Sequence, residues 1–311
     1  MKARILLLVL ISAMVLLWAS HQPLPAVRAS VGDHGRHSDD DSAMPLREQE
    51  TIRKTFSVGA AHKLLDVDDV FGSIEVVGGQ SDQVQLVVNK SIRAESQERM
   101  DAAKKEVTLD ITDQPDLLKF YVNGPFRCNC NCDGDGCCGG GWHGDHGYVV
   151  KMDFQLQVPR SMDLKLRTVN SGRVNVRDVI GNFSVRNVNG GIEMQDVGGG
   201  KAQARTVNGG VKVVFRENPR ENGDFGTING PVELYFTRGL SADFRFKTMN
   251  GHIYTDFEMT SLPAQAATSE RHDGKFIYHS DRYTGGRVGA GGMEIKADNL
   301  NGDIRVLERH E

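Results

Sequence analysis

A short phrase that recurs along the second half of the chain constrains the fold more than any other feature. It has the form Thr or Asn, then an aliphatic residue, then Asn, and in most copies Gly. It ends at Asn170, Asn189, Asn208, Asn229, Asn250 and Asn301. The first five asparagines are spaced by 19, 19, 21 and 21 residues. Such a period is typical of a solenoid, in which each repeat stacks on the next and buries a core that no single repeat could bury.

Apolar and polar residues alternate after each Asn-Gly, as in Ile192-Glu193-Met194 and Val211-Lys212-Val213. This period of two predicts one short strand in each repeat, with one face directed inward. Asn-Gly tolerates positive φ and therefore ends the strand in a turn. The same dipeptide could close antiparallel hairpins, but the even spacing favours stacked repeats. We therefore expect an all-β fold, a β-solenoid that resembles a parallel β-helix with rungs of about 20 residues.

The Asn-Gly turns are predicted to have a structural role, because asparagines stacked about 4.8 Å apart can hydrogen-bond as a ladder. The residues of these turns are Asn170, Asn189, Gly190, Asn208, Gly209, Asn229, Gly230, Asn250, Gly251, Asn301 and Gly302. The aliphatic residue before each asparagine, such as Val188, Val207, Ile228 and Met249, is expected to be buried beside the ladder. A row of ligand-binding amides is the alternative, although turn geometry alone explains the same residues.

The N-terminal segment has the pattern of a secretory signal peptide. Lys2 and Arg4 precede an apolar run from Ile5 to Trp18, and Ala29 marks a small-residue cleavage site, so residues 1–29 are predicted to be removed. The apolar run is shorter than the ~20 residues that span a bilayer. The mature protein is therefore expected to be exported to the periplasm, the cell surface or the medium, without a transmembrane anchor.

Residues 30–54 are predicted to form a disordered leader, because they include few apolar side chains. The solenoid domain is predicted to span residues 55–311, with its first repeat at Val70-Phe71-Gly72, where Phe71 replaces the asparagine, and with one short helix near residues 94–106. The chain has a formal net charge of −4, and removal of the three basic residues of the signal leaves about −7. This acidic balance argues against nucleic acid as a partner.

An insertion rich in Cys, Gly and His, at residues 124–147, is predicted to be an exposed excursion from a strand pair formed by residues 117–122 and 149–158. The candidate disulfide or metal ligands are Cys128, Cys130, Cys132, Cys137, Cys138, His143 and His146. In an exported protein the default is disulfide pairing, and five cysteines leave one thiol free or paired to another chain. A zinc or copper site is the alternative, although none of the standard zinc spacings occurs. No other cofactor is indicated.

The order of these features resembles the bacterial putative-adhesin family, a domain family of unknown function. Gln157-Val158-Pro159 leads into the segment Asp163 to Asn170, and serial Asn-Gly-Gly-Ile/Val repeats follow, so that the resemblance covers roughly residues 55–308. The resemblance implies an exported, noncatalytic β-solenoid. It supplies no catalytic or binding residues, and the cysteine insertion is not part of its pattern.

Three classes of function are consistent with the sequence. The favoured class is a noncatalytic, adhesin-like scaffold of the cell envelope or surface that binds another macromolecule, because extended solenoid faces suit such binding. Its candidate binding stripe is Arg167, Arg186, Arg205 and Lys247, each three residues before an asparagine. A solvated row of charges is the simpler interpretation of the stripe.

The second class is a metal or redox module that uses the cysteine insertion. The third is a polysaccharide-cleaving enzyme, which would need paired acids on neighbouring repeats. Glu193 and Glu233 stand at equivalent positions, but Lys212 separates them. The sequence therefore favours a protein that is not an enzyme.

Overall fold

The computed structural model describes residues 44–59, 63–127, 146–263, 268–272, 275–279 and 283–310. The predicted signal peptide lies outside these residues, as do residues 30–43 of the predicted leader. The end of that leader was predicted wrongly, because Leu46–Ser57 is a strand that pairs antiparallel with Gln83–Ala94. Backbone pairing with a neighbouring strand orders this polar segment, and Ile52 and Phe56 pack against the core.

Strands make up most of the described chain, which is all-β as the sequence predicts. The first part contains β1 (Leu46–Ser57), β2 (Leu64–Asp68), β3 (Ile74–Gly79), β4 (Gln83–Ala94), helix α1 (Gln97–Glu106), β5 (Thr108–Asp113), β6 (Leu117–Asn123) and β7 (Tyr148–Pro159). The repeats contain β8 (Asp163–Arg167), β9 (Val174–Arg177), β10 (Phe183–Arg186), β11 (Ile192–Val197), β12 (Ala202–Arg205), β13 (Val211–Phe215), β14 (Gly223–Asn229), β15 (Val232–Phe236), β16 (Ala242–Lys247) and β17 (Ile253–Thr255). The last part contains β18 (Thr260–Leu262), β19 (Thr268–His272), β20 (Lys275–His279), β21 (Thr284–Val288), β22 (Met293–Asn301) and β23 (Ile304–Glu308).

The strands form two large mixed sheets, and β19 and β20 form a separate antiparallel pair. Sheet A has the order β1-β4-β7-β3-β9-β11-β13-β15-β23-β17, and sheet B has the order β18-β21-β16-β22-β14-β12-β10-β8-β2-β6-β5. From β8 to β17 the chain alternates between the sheets, so each repeat contributes one strand to each. Strands of successive repeats from β8 to β15 pair in parallel and in register, apart from a shift between Gln195 and Val197 where β11 pairs with β13.

The last repeat along the chain is not the last in the stack. Strand β22 lies between β14 and β16, and β23 lies between β15 and β17. After β15 the chain therefore leaves one strand position open in each sheet and forms β16 and β17 beyond it. It continues through β18 and β21, and then β22 and β23 occupy the two open positions. As a result Asn301 lies between Asn229 and Asn250, which the even spacing along the sequence does not indicate.

The core consists of the inward-facing residues of both sheets. Phe215 stacks on Phe236 with 4.9 Å between ring centroids, and Phe225 and Phe244 pack edge-on against this pair. Helix α1 begins at the N-cap Ser96, whose Oγ accepts a hydrogen bond from the backbone N–H of Arg99. The helix buries Met100 and Ala103, and it lies close to the position predicted from its composition.

The two strands that flank the cysteine insertion do not pair with each other. Strand β6 belongs to sheet B, where it pairs with β2 and β5, whereas β7 belongs to sheet A, where it pairs with β3 and β4. The prediction of an excursion from one strand pair is therefore wrong. The insertion connects β6 in sheet B to β7 in sheet A, and the links between successive strands from β8 to β17 also change sheet.

Candidate macromolecule-binding edge

The asparagines of the repeats form one row along the edge where the chain turns from sheet B into sheet A. Each side-chain amide after that of Asn170 donates from Nδ2 to the Oδ1 of the preceding asparagine in the row. The pairs are Asn189 to Asn170 (2.7 Å), Asn208 to Asn189 (2.8 Å), Asn229 to Asn208 (2.8 Å), Asn301 to Asn229 (2.8 Å) and Asn250 to Asn301 (2.7 Å). These amides largely satisfy one another, which leaves few of them for a ligand.

A second polar row lies inside the same turns, two residues before the asparagines. Its buried members, which we call the inner polar row, are Thr168, Asn187, Thr206, Thr227 and Asn299. Each donates to a backbone carbonyl of a turn glycine, as Thr206 Oγ1 does to Gly190 O at 2.7 Å and Thr227 Oγ1 to Gly209 O at 2.8 Å. These bonds satisfy partly or fully buried carbonyls inside the turn.

The aliphatic residue before each asparagine points outward, so its predicted burial is wrong. Side chains alternate along an extended chain, and a buried threonine therefore places the next residue outside. The resulting aliphatic row consists, in stacking order, of Val169, Val188, Val207, Ile228, Leu300 and Met249. The three valines are half-buried, whereas Ile228 is 44% exposed, Leu300 38% and Met249 71%.

The predicted basic stripe lies directly beside the aliphatic row, two residues earlier in each repeat. Arg167, Arg186 and Arg205, which we call the arginine cluster, are register partners on β8, β10 and β12. Lys247 does not join them, because Gly226 and Asp298 occupy the two positions between Arg205 and Lys247. The structure thus brings together three of the four predicted residues.

Carboxylates neutralise the two outer members of the arginine cluster. Arg205 donates to Asp224 Oδ2 at 3.0 Å and to Asp298 Oδ1 at 2.6 Å. The hydrogen bond to Asp224, opposed by partial burial and helped by Asp298, raises the pKa of Arg205 above its usual value. Arg167 Nη1 lies 3.5 Å from Asp68 Oδ2.

Arg186, in the middle of the cluster, is exposed and has no ion-pair partner within the described part of the chain. Its neighbours in register are two further arginines. Like charges that face each other across neighbouring strands are unfavourable, and the five N–H donors of a guanidinium suit a carboxylate or phosphate. Arg186 is therefore the member of the stripe that is best placed to bind an anion.

The acids singled out for the enzyme alternative lie on the outer face of sheet A. Glu193, Lys212, Glu233 and Arg305 follow one another in register, so the charges alternate. Glu233 Oε1 accepts from Arg305 Nη1 at 2.8 Å, and Glu193 Oε1 lies 3.9 Å from Lys212 Nζ. Each of the two glutamates is thus paired with a basic side chain rather than with a second acid.

Asp69 is the one carboxyl group among the described residues whose pKa is clearly raised. It occupies the position of the inner polar row next to Thr168, and it is fully buried. Burial raises its pKa to about 7, against the opposing effect of the nearby N–H groups of Val70 and Phe71. The geometry of these N–H groups relative to the carboxyl oxygens does not meet the criteria for a hydrogen bond. Because no solvent reaches Asp69, it is not positioned to act on a substrate.

The cysteine insertion is described only at its two ends. All five cysteines and His143 lie outside the described residues, and His146 is exposed, with its ring 5.7 Å from that of Tyr148. Arg127 donates to Asp68 Oδ1 and to the Asp68 carbonyl, both at 2.8 Å, which fastens the start of the insertion to the end of β2. In the described part of the chain no three His, Cys, Asp or Glu side chains are grouped to hold a metal ion.

Comparisons with known proteins give little to identify the chain. No protein-family model matches it, and no curated protein matches it. A crystal structure of a putative cell adhesion protein from Clostridium sporogenes is similar over 84% of this chain and 100% of that chain, with 11% sequence identity and a TM-score of 0.33. A likeness this distant carries no argument about fold or function. None of the helices in the described ranges is long and apolar enough to cross a membrane.

Proposed function

We propose that the protein is a noncatalytic scaffold that binds another macromolecule through the edge formed by the aliphatic row and the arginine cluster. One observation carries the proposal: an uninterrupted row of exposed or half-exposed aliphatic side chains lies beside three arginines in register. Contiguous apolar surface with a polar rim is typical of interaction sites. Arginine and methionine are also enriched at protein interfaces relative to the rest of the surface.

The finer description of the scaffold is a β-solenoid of about 20-residue rungs, related to the putative-adhesin family and exported to the cell envelope or surface. The alternation of β8 to β17 between two sheets supports the solenoid description. The asparagine row, with one hydrogen-bonded amide per repeat, supports it further. The signal-like pattern at residues 1–29 supports export.

The cysteine insertion is proposed to be a disulfide-pinned loop rather than a metal or redox centre. Its density of glycine means that covalent links or a bound ion must order it. Mass spectrometry of protein from an oxidising compartment should find two internal disulfides and one free thiol. Five reduced cysteines with stoichiometric zinc or copper would instead establish the metal module.

The binding proposal is tested with envelope fractions of the source cells and the purified protein. We expect saturable binding that falls about tenfold or more in the double variant Ile228→Ser/Met249→Ser, and that also falls in Arg186→Glu. Tyr254→Ser and Arg177→Gln are matched controls, because both residues are exposed on sheet A, away from the edge. Binding that is equal in edge and control variants would rule out this edge.

The absence of catalysis needs a separate measurement. Purified protein is incubated with acidic and neutral glycans such as pectin and alginate, and the release of reducing ends is followed. We expect no turnover above that of a boiled sample. Turnover that is lost in Glu193→Gln or Glu233→Gln would establish the polysaccharide-cleaving alternative.

A further inference from the structure

We propose that the partner of this edge is an anionic lipid surface, with the aliphatic row in contact with the bilayer interface and Arg186 in contact with headgroup phosphates. The inference rests on the proposed function, because it assigns a partner to the same edge. Three features of the edge support a lipid partner over a protein or a glycan. Its hydrogen-bonding groups are already bonded within the protein, its apolar area is small, and its local charge is basic.

The edge has few free groups for directional bonds. The carbonyls of Val169, Val188, Val207 and Leu300 all accept hydrogen bonds from the backbone N–H of an asparagine in the adjacent repeat, at 2.7–2.9 Å. The asparagine amides beside them are bonded to one another. An added peptide strand would need free backbone groups. A glycan would be expected to need aromatic or hydrogen-bonding side chains, whereas every member of the row is aliphatic. The hydrocarbon of a lipid needs neither free backbone groups nor hydrogen-bonding side chains.

The size of the row also argues against a second copy of the chain. Six stacked positions at about 4.8 Å span roughly 24 Å. Their partly exposed side chains offer roughly a few hundred Å², well below the approximately 800 Å² per partner of a stable protein interface. Insertion of such a row into the boundary between headgroups and acyl chains does not require a larger matching surface, because binding there combines apolar contact with electrostatic attraction.

Two basic groups of the edge complement an anionic surface even though the whole chain has a net charge of −4. Arg167 and Arg205 are paired with carboxylates, whereas Arg186 and Lys247 have no ion-pair partner among the described residues. Arg186 is exposed and points to the same side as Val188, two positions later. Lys247 stands in the same relation to Met249, the most exposed member of the row. Basic groups beside an apolar stripe are typical of proteins that lie on anionic membranes.

Sedimentation with protein-free vesicles tests the inference. Phosphatidylcholine vesicles with about 30% phosphatidylglycerol are compared with vesicles of phosphatidylcholine alone. We expect binding to the anionic vesicles only, weakened by added salt because exposed charges are screened. Ile228→Ser/Met249→Ser should reduce the binding about tenfold, and Arg186→Gln should reduce it about threefold, because both contacts contribute to interfacial affinity.

The controls separate this edge from the rest of the chain. Tyr254→Ser and Arg177→Gln should bind as the unmodified protein does, and mass spectrometry checks that all samples share one N-terminus, because the apolar run at residues 5–18 would itself bind lipid. Circular dichroism verifies that each variant is folded.

Equal binding to both kinds of vesicle, no binding, or undiminished binding of the double variant would overturn the lipid inference. If envelope fractions still distinguish the edge variants while vesicles do not, only the lipid inference fails. If neither envelope fractions nor vesicles distinguish the edge variants from the controls, the proposed function fails as well.

Discussion

The inner polar row and the aliphatic row alternate along the same short stretch of chain, yet their burial is the reverse of what their chemistry would indicate. Thr206 is buried and Val207 beside it is half-exposed; Thr227 is buried and Ile228 is 44% exposed. The threonines are inside because turn carbonyls need donors. The aliphatic side chains make no comparable contribution inside the turn. The comparison indicates that the repeat phrase separates two positions, with one residue holding the turn and the next facing outward.

The largest effect on stability is expected at Asp69, which occupies a position of the inner polar row. The other members of the row each have a hydrogen-bond donor, whereas an ionised Asp69 side chain has none. Its pKa is about 7 in the folded protein and 3.8 is the ordinary value, so the unfolded chain ionises first as the pH rises. The contribution of Asp69 to stability is therefore greatest below about pH 4, is lost between about pH 4 and 7, and is constant above that.

Replacement of Asp69 by Asn should remove this pH dependence, since Asn187 and Asn299 already occupy the same row. The variant should be more stable than the unmodified protein at pH 8, by up to about 4 kcal/mol, and the difference should disappear towards pH 4. Urea unfolding at pH 4, 6 and 8 measures it. A difference that is the same at all three pH values would mean that Asp69 does not titrate in this range.

The next effect is expected from Thr206→Val, which keeps the shape of the side chain and removes its hydroxyl. Gly190 O, which is partly buried, would lose the donor that lies 2.7 Å away. The free energy of unfolding should fall by about 1–3 kcal/mol, the usual penalty for an unsatisfied buried polar group. Thr206→Ser keeps the donor and serves as the control. If Val and Ser have equal effects, the hydroxyl does not hold the turn.

These two rows also show how far the sequence predicts the structure. The period of the asparagines predicts stacked strands and an asparagine ladder, because each repeat must place the same residue in the same position. The predicted burial of the aliphatic row is wrong, because the alternation of side chains along the strand outweighs their hydrophobicity. Counting back from Thr206 through Ala204 and Ala202, all three buried, places the threonine inside and Val207 outside.

Other features depend on contacts that a single sequence does not reveal. The position of β22 between β14 and β16 is set by a return of the chain over more than 30 residues. Nothing in the local pattern distinguishes the Asn250 repeat from its neighbours. The separation of Lys247 from the arginine cluster follows from this same return, because it inserts Asp298 between them. The strand at residues 46–57 is mostly polar, and its order depends on pairing with β4 and on core contacts of Ile52 and Phe56.

A smaller effect is expected from Val207→Ala in the aliphatic row. The side chain is half-buried, so its truncation removes only part of the transfer free energy of two methyl groups and leaves no closed cavity. The loss of stability should be about 1 kcal/mol or less. Val213→Ala, at a fully buried position of the same repeat, is the matched comparison and should cost about 2 kcal/mol or more. Equal losses at the two positions would show that the outward assignment of the aliphatic row is wrong.

The smallest effect on folding is expected from Ile228→Ser/Met249→Ser, and this is where stability and binding should separate most clearly. Both side chains are among the most exposed large apolar groups of the described chain, and their backbone hydrogen bonds do not depend on side-chain identity. Surface substitutions of this kind usually change stability by about 0.5 kcal/mol or less, so the melting temperature should shift by only a few degrees. Partner binding should nevertheless fall about tenfold, because the aliphatic row then loses its two most protruding members.

Thermal unfolding and binding measured on the same preparation test both halves of this prediction. A large loss of stability would mean that the aliphatic row supports the fold after all, and an unchanged affinity would mean that it does not face the partner.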